Sequence, residues 1–334
     1  MYKKRGLSIK NVKKLQTLIA LILLSGFCFT SILETTKANA ANFDDMNLLI
    51  GYIPHVQFTP LYVGIEKGIF QKYGINLKID YSFGRDIFGL LMAEKADFAL
   101  TDSDELIISC EKGMGLKSFF QYYQDFPISM VALNQNVKPE DLYGKKIGLP
   151  DFYGTNYIGT LLFVNRYGLA NKTEIVKIGY TQIQSLVSKK VDVVACYYNN
   201  EPIQLRLQGY KITEWKIKDF SNLVGGSFVS SEKNLKNKHD QFSRLIKALT
   251  ESIEYTNSNR DEALDIAYKT IGSLQPQMRE FWKEVLNATL QLIYGKDPVG
   301  SLNTERYRST VSILFNLNFI KSEMNPSLFL EFIK

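Results

Sequence analysis

The sequence predicts an α/β protein of two lobes, with a cleft between the lobes and a helical C-terminal tail. Short apolar runs typical of buried strands alternate with segments of helical spacing, which favours parallel sheets joined by crossover helices. The alternation occurs in two series, and from residue 240 onward only helical spacing remains. A return crossing over 224–230 gives the chain two connections between the lobes, so a cleft between them is expected.

The first series is predicted to contain three strands, each followed by a helix. A buried strand over 48–52 precedes a helix that has Pro60 in its first turn and ends before Gly74. Strict alternation of apolar and polar residues predicts the second strand. The predicted elements are strands over 48–52, 75–81 and 97–101 and helices over 59–72, 86–96 and 103–113.

The second series follows a short helical link over 138–144, and the tail follows the second series. The second series is predicted to contain strands over 146–149, 175–178 and 191–195 and helices over 156–167 and 182–188. The tail is predicted to form helices over 242–258, 260–271, 277–294 and 304–317. We therefore assign 41–136 to lobe 1, 137–226 to lobe 2 and 227–334 to the completion of lobe 1, on which the tail should pack.

The formal charge of +6 originates in the first forty residues. They hold 7 of the 40 basic and 1 of the 34 acidic residues, so 33 of each remain. A basic segment through Lys14, an apolar run over 17–33 and Ala38-Asn39-Ala40 follow the order of a secretory signal peptide. We predict cleavage after Ala40. The balanced remainder removes the argument for nucleic-acid binding that a basic chain invites.

Two alternatives to the cleaved signal remain open. The apolar run is long enough to suggest an uncleaved anchor helix, and Cys28 suggests a lipoprotein signal, although the bulky Phe27 disfavours lipidation. In each case the protein is expected outside the cytoplasm, in the periplasm or at the outer face of the cytoplasmic membrane. This location argues against ligands such as ATP, nicotinamide cofactors and nucleic acid.

The motifs of common catalytic, metal and cofactor sites are missing. The sequence has no phosphate-binding loop ending in Lys-Ser/Thr and no Gly-x-Ser-x-Gly segment. Neither Cys110 nor Cys196 has a His or Cys at zinc-ligand spacing. We therefore expect a monomeric binding protein with no catalytic residues, no metal and no cofactor.

Aromatic, amide and acidic residues follow the predicted strands. In open α/β sheets ligands bind beyond the carboxyl ends of strands, where aromatic faces stack on planar rings and polar groups read ring edges. This pattern predicts a planar polar heterocycle as the ligand, although core packing and, for Asp102, helix capping are the competing interpretations. By loop position the candidates are Gln57, Phe58, Asp102, Tyr153, Tyr180 and Asn199, and the polar run from Tyr197 to Glu201 is the strongest.

Several segments resemble the solute-binding proteins related to thiamine pyrimidine synthase. The resemblance covers nearly the whole chain after residue 40. It implies a type II periplasmic-binding-protein fold that delivers a ligand to the permease and ATPase of an ABC importer. The segments are 51–70 (GYIPHVQFTPLYVGIEKGIF), 94–100 (EKADFAL), 141–148 (DLYGKKIG), Val191-Asp192 and Asn200-Glu201-Pro202.

Finer features distinguish subgroups of that family. Aligned on Leu61-Tyr62-Val63, Gln57 and Phe58 stand where the thiamine-precursor binders and the synthase carry Asn-His, and the cysteine-rich motif of the synthase is absent. The segments 52–58, 179–182 and 198–202 are more similar to the riboflavin-binding subgroup. The family's ligand-contacting Tyr and Glu fall on Tyr197 and Glu201. Riboflavin is the expected ligand; a thiamine pyrimidine precursor is the alternative, and a synthase-like enzyme is less favoured.

Overall fold

The computed structural model describes residues 43–81 and 84–333, which form two α/β lobes. The predicted signal peptide, its predicted cleavage site and Cys28 lie outside the described residues. Within the described ranges, no helix is both long and apolar enough to cross a membrane.

The described part of the chain contains ten strands in two sheets of five. In chain order they are β1 (Asp44–Ile50), β2 (Ile75–Tyr81), β3 (Phe98–Asp102), β4 (Leu116–Gln121), β5 (Ile128–Leu133), β6 (Lys146–Leu149), β7 (Glu174–Lys177), β8 (Val193–Tyr197), β9 (Ile212–Lys216) and β10 (Gly226–Ser231). The first sheet has the order β2-β1-β3-β10-β4 and the second has the order β7-β6-β8-β5-β9. In each sheet three neighbouring strands are parallel, and one strand, β10 or β5, runs antiparallel to both of its neighbours.

Helices connect the strands and form the tail. In chain order they are α1 (Thr59–Glu66), α2 (Ile69–Lys72), α3 (Ile87–Met92), α4 (Ser103–Glu111), α5 (Gly154–Arg166), α6 (Gln182–Val187), α7 (Glu201–Leu207), α8 (Glu232–Asn237), α9 (His239–Ser258), α10 (Arg260–Ile271), α11 (Arg279–Tyr294) and α12 (Thr304–Asn316). Short 3-10 turns lie at Val56–Phe58, Pro139–Leu142, Ile217–Asp219, Pro276–Met278 and Pro326–Leu328.

Most predicted elements are confirmed, and where one predicted helix is divided the cause is local. The strand predicted over 75–81 and the helix over 260–271 match β2 and α10. The single helix predicted over 59–72 is two helices, because Gly68 adopts a left-handed φ of 68° between α1 and α2.

The first crossing between the lobes lies earlier than the predicted boundary between 136 and 137. β5 pairs with β8 and β9 of the second sheet, so the chain has already entered the second lobe at Ile128. The side chains of β5 are buried on both faces, so the strand shows no alternation in its sequence. The crossing segments are therefore 122–127 and 217–225.

The two crossing segments pack against each other at Gly225, and the side chain of Gln121, the last residue of β4, joins them by hydrogen bonds. The Gln121 amide Nε2 donates to the carbonyl oxygens of Tyr123, Gly225 and Gly226, each at 3.0 Å. Gly225 has no room for a side chain, since an added Cβ would lie 2.7 Å from the Tyr123 Cβ and would overlap the Asp125 carbonyl oxygen. The connections between the lobes are thus close together and tightly packed.

Replacing Gly225 with alanine is expected to lower the free energy of unfolding by about 2 kcal/mol, because the added methyl group meets backbone atoms that cannot move independently. Chemical denaturation of the purified protein measures the change. Gly115→Ala is the matched control, since a Cβ at Gly115 meets no atom within 4 Å. Equal stability of the Gly225→Ala variant and the wild type would contradict the close packing of the crossings.

The tail packs partly as predicted. Buried residues of α9, α10 and α11 share one apolar cluster with Leu61 and Val63 of α1, so these helices cover the first lobe. In contrast, α12 contributes Tyr307, Val311 and Leu314 to a cluster that also contains residues of the second sheet. The end of the tail contacts both lobes, because the Tyr307 hydroxyl lies 3.1 Å from that of Ser103 in lobe 1 and Phe319, just after α12, packs edge-on against Tyr157 in lobe 2.

Candidate ligand-binding cleft

The carboxyl ends of β3 and β8 face each other across the lobes and are joined by hydrogen bonds. The Tyr197 hydroxyl donates to Asp102 Oδ2 at 3.1 Å. The Thr155 hydroxyl, in the first turn of α5, lies 3.2 Å from both carboxyl oxygens of Asp104. The predicted cleft is therefore bounded by strand ends and helix starts from both lobes.

Three acidic residues, Asp102, Asp104 and Glu105, occupy the lobe 1 side of this contact and are called here the acid cluster. Asp102 precedes α4 but makes no capping hydrogen bond with its side chain. Burial raises the pKa of all three carboxyls, and the neighbouring Asp102 charge raises the pKa of Asp104 and Glu105 further. The pKa of Glu105 rises to about 7, so the acid cluster retains protons near neutral pH.

A fourth acid, Glu201, begins α7 on the lobe 2 side. Burial raises the pKa of its carboxyl to about 7, although hydrogen bonds from the local backbone and from Asn200 partly offset this rise. The Glu201 Oε2 atom is buried and has no hydrogen-bond partner. The phenol of Tyr52 lies within electrostatic reach of both Glu201 and Tyr180. Glu201 thus lies near Tyr52 of the first lobe.

An aromatic group lines the lobe 1 side opposite Glu201. The His55 ring packs edge-on against Tyr52 at 6.0 Å and against Trp282 at 5.3 Å between ring centroids. Burial lowers the pKa of His55 to about 4, so this imidazole is neutral. Its Nδ1 accepts a hydrogen bond from the backbone N–H of Gln57 at 3.3 Å. Gln57 is held further by the Tyr123 hydroxyl, which donates to its Oε1 at 3.0 Å.

The structure brings six of the eight predicted site residues to the cleft. Tyr153 and Tyr180 stand at its rim, where each is 65% exposed. Both belong to lobe 2, and burial, together with the charges of Glu105 and Asp102 across the contact, raises the pKa of the Tyr180 phenol. The six residues are Gln57, Asp102, Tyr153, Tyr180, Tyr197 and Glu201.

The other two predicted residues are packed inside the protein. Phe58 is 3% exposed and belongs to the lobe 1 core, where its ring lies 6.5 Å from that of Tyr81. Asn199 is 1% exposed and donates to the Thr289 hydroxyl of α11 at 2.9 Å. Asn199 therefore fixes the β8–α7 loop against the tail, a role that its position after a strand did not indicate.

Sequence reasoning missed several residues of the cleft. Asp104 and Glu105 lie in the first turn of a helix, where acids are common, and Tyr123 lies in the crossing segment after β4. Trp282 lies in the tail, far from any predicted strand end. Its Nε1 is buried without a hydrogen-bond partner, although nothing in its sequence context marks it.

Within the described part of the chain, the acids of the cleft have no basic partner and no metal-binding arrangement. Among the ion pairs of residues 43–81 and 84–333, none involves Asp102, Asp104, Glu105 or Glu201. The same ranges hold no group of three or more His, Cys, Asp and Glu side chains arranged to bind a metal ion. Aromatic rings and carboxyls without an ion-pair partner in these ranges are therefore gathered where the two lobes meet.

A family model and two relatives match this chain. The family model described as NMT1/THI5 like matches residues 55–263. The riboflavin-binding protein RibY of Chloroflexus aurantiacus is 30% identical over 281 residues, which cover 78% of this chain and 80% of RibY. The formylaminopyrimidine-binding protein of Halalkalibacterium halodurans is 22% identical over 318 residues, which cover 92% of this chain and 94% of that protein.

The fold is also that of a solved binding protein. The periplasmic aliphatic sulphonate-binding protein SsuA of Escherichia coli superimposes with a TM-score of 0.69 over 87% of this chain and 92% of SsuA. The two sequences are 13% identical, so this likeness concerns the fold alone.

Proposed function

We propose that this chain, which belongs to the NMT1/THI5-like family, is the substrate-binding protein of an ABC importer for a neutral heterocyclic vitamin, with riboflavin as the first candidate. The observation that carries the proposal is the cleft itself, where aromatic rings and four uncompensated carboxyls from both lobes converge. RibY, the relative with 30% identity, supports the choice of ligand.

The charge of the cleft argues against an anionic ligand such as a sulfonate. Free helix N-termini attract anions, because their N–H groups and dipoles point outward. Here α4 carries Asp104 and Glu105 in its first turn and α7 carries Glu201. The chain thus places its own acids where an anion would otherwise bind.

The same acids suit a ring with N–H donors. A carboxyl whose pKa lies near 7 can accept a hydrogen bond or, when protonated, also donate one. Riboflavin offers an imide edge of this kind and an aromatic ring system for stacking. An aminopyrimidine also offers N–H donors, and the formylaminopyrimidine-binding relative supports such a pyrimidine as the second candidate ligand.

Replacing Glu201 with alanine is expected to weaken riboflavin binding by ~1–3 kcal/mol, about 5- to 150-fold, because ring donors would lose a buried acceptor. Calorimetric titration of the purified protein measures the affinity. Glu214→Ala is the control, since the Glu214 side chain is also buried but pairs with Arg206 in the second lobe, away from the cleft. Unchanged affinity in the Glu201 variant would remove Glu201 from the site.

The identity of the ligand is tested by titrating the wild type with riboflavin and with formylaminopyrimidine. Quenching of flavin fluorescence is expected on stacking against the cleft aromatics. Binding of the pyrimidine alone would assign the second candidate, and binding of neither would reject the proposal.

The transport role places the protein outside the cytoplasm, where it would deliver its ligand to a permease driven by an ATPase. The two lobes are joined by a packed pair of crossings, so a hinge motion there can distinguish loaded from empty protein. We propose binding and delivery as its activity, without a catalytic step.

A further inference from the structure

Two buried polar atoms near the aromatic group lack hydrogen-bond partners, and they are of opposite kinds. Trp282 Nε1 is a donor, since an indole nitrogen carries a hydrogen and cannot accept. Glu201 Oε2 is an acceptor in the ionised carboxyl. Leaving such atoms unpaired in a protein interior costs free energy, and each therefore calls for a specific reason.

Helix α11, which carries Trp282, packs against α7, the helix that Glu201 begins, and against the 3-10 turn that follows His55. Trp282 and Thr289 are seven residues apart and so lie on one face of α11. Thr289 accepts the hydrogen bond of Asn199, which lies two residues before Glu201. The tail helix is thus fixed to the loop that carries Glu201.

The aromatic group connects the two atoms from the other side. Trp282 contacts His55, His55 contacts Tyr52, and Tyr52 lies within electrostatic reach of Glu201. The His55 imidazole is neutral, and its Nδ1 already accepts a hydrogen bond from the Gln57 backbone N–H. Nδ1 is therefore not the partner of either Trp282 Nε1 or Glu201 Oε2.

We propose that Trp282 is a specificity-determining residue, whose indole N–H and the Glu201 carboxyl together read a ring edge that presents a carbonyl beside an N–H. The indole donates to the ligand carbonyl, and Glu201 accepts from the adjacent ligand N–H. This inference rests on the proposed function, because it assumes a ring bound between the lobes. It assigns to the ligand a lactam or imide edge, which riboflavin carries.

The test uses Trp282→Phe, which keeps an aromatic ring and removes only the N–H and part of the ring. Riboflavin affinity is expected to fall roughly five- to tenfold, as for one lost hydrogen bond to a buried group. Trp215→Phe is the matched control, because Trp215 is the other of the two tryptophans in the chain and packs against Phe163 in the second lobe. The melting temperature without ligand reports any loss of folding in either variant.

Riboflavin methylated at its imide nitrogen separates the two partners. The methyl group replaces the N–H hydrogen that would be donated to Glu201. Both neighbouring ring carbonyls remain to accept a hydrogen bond from Trp282. We expect the wild type to bind the methylated flavin more weakly than riboflavin. Glu201→Ala should narrow this difference and Trp282→Phe should preserve it.

Two outcomes overturn the inference. One is unchanged riboflavin affinity in a folded Trp282→Phe variant, and the other is an equal loss in Trp215→Phe. If the wild type binds neither riboflavin nor formylaminopyrimidine, the proposed function fails first. If the wild type binds one of them and Trp282→Phe binds it equally well, the inference alone fails.

Discussion

Replacing Arg306 with alanine is expected to lower the free energy of unfolding by about 3 kcal/mol, which is typical when one partner of a buried ion pair is removed. Arg306, on α12, lies 3.4 Å from the Asp125 carboxylate of the first crossing and 3.5 Å from Asp297. It also donates to the Leu223 carbonyl of the second crossing at 2.9 Å. The variant leaves that carbonyl without its donor, and Asp125 keeps only Lys218 at 2.9 Å.

The control for this prediction lies two residues away on the same helix. The Arg308 side chain is 57% exposed and pairs with Glu305, an exposed contact worth at most about 1 kcal/mol. Urea denaturation of both variants measures the difference. A loss of stability in Arg308→Ala that equals the loss in Arg306→Ala would show that the helix surface, and not the crossing contact, carries the effect.

The second large effect concerns pH and the acid cluster. Burial raises the pKa of Glu105 from an ordinary value of 4.5 to about 7, so the folded protein binds a proton that the unfolded chain releases. Its contribution to stability is complete below pH 4.5 and is lost as the pH rises to 7. The wild type is therefore expected to lose roughly 2–3 kcal/mol across this interval relative to Glu105→Gln.

The comparison with a variant is needed because other groups titrate in the same interval. The pKa of His55 is lowered to about 4, so its contribution is lost as the pH falls from 6.5, and this opposes the effect of Glu105. Asp102 and Asp104 are coupled to Glu105, while Tyr123, Tyr180 and Tyr197 are the other titratable groups facing the cluster. Taking the difference between wild type and variant cancels the His55 contribution.

Denaturation at a series of pH values from 4.5 to 8 measures this difference. Glu280→Gln, on the exposed surface of α11, serves as the control and should show a pH profile parallel to that of the wild type. Parallel profiles of the wild type and Glu105→Gln would show that Glu105 titrates as an ordinary surface acid.

Much of the fold could be predicted because periodicity and turn residues are local signals. The alternation in β2 and the apolar stripe of α10 are each contained within one element, so their bounds follow from the sequence. β5 could not be predicted in the same way, because a strand buried on both faces has no alternation and its sheet depends on partners far along the chain.

The candidate site likewise contains residues that local sequence signals predict and residues that depend on distant packing. Asp102 and Tyr197 end strands, and Gln57 and Glu201 follow strands, so the rule for ligand positions in α/β sheets selects all four as candidates. Trp282 could not be predicted, since its place in the cleft depends on how a helix of the tail packs. Phe58 and Asn199 satisfied the rule but point to the core and to α11, because loop position does not determine the direction of a side chain.

The position of β10 has a consequence for the order in which the protein folds. β10 lies between β3 and β4, and it is the strand through which β4 joins the first sheet. The second sheet is built from 128–216, a continuous segment, whereas the first sheet needs a strand that follows all of it. Contacts between residues so distant in sequence form slowly. The second lobe can therefore assemble while the first is still incomplete, and the lobe 1 side of the proposed ligand-binding cleft is finished last.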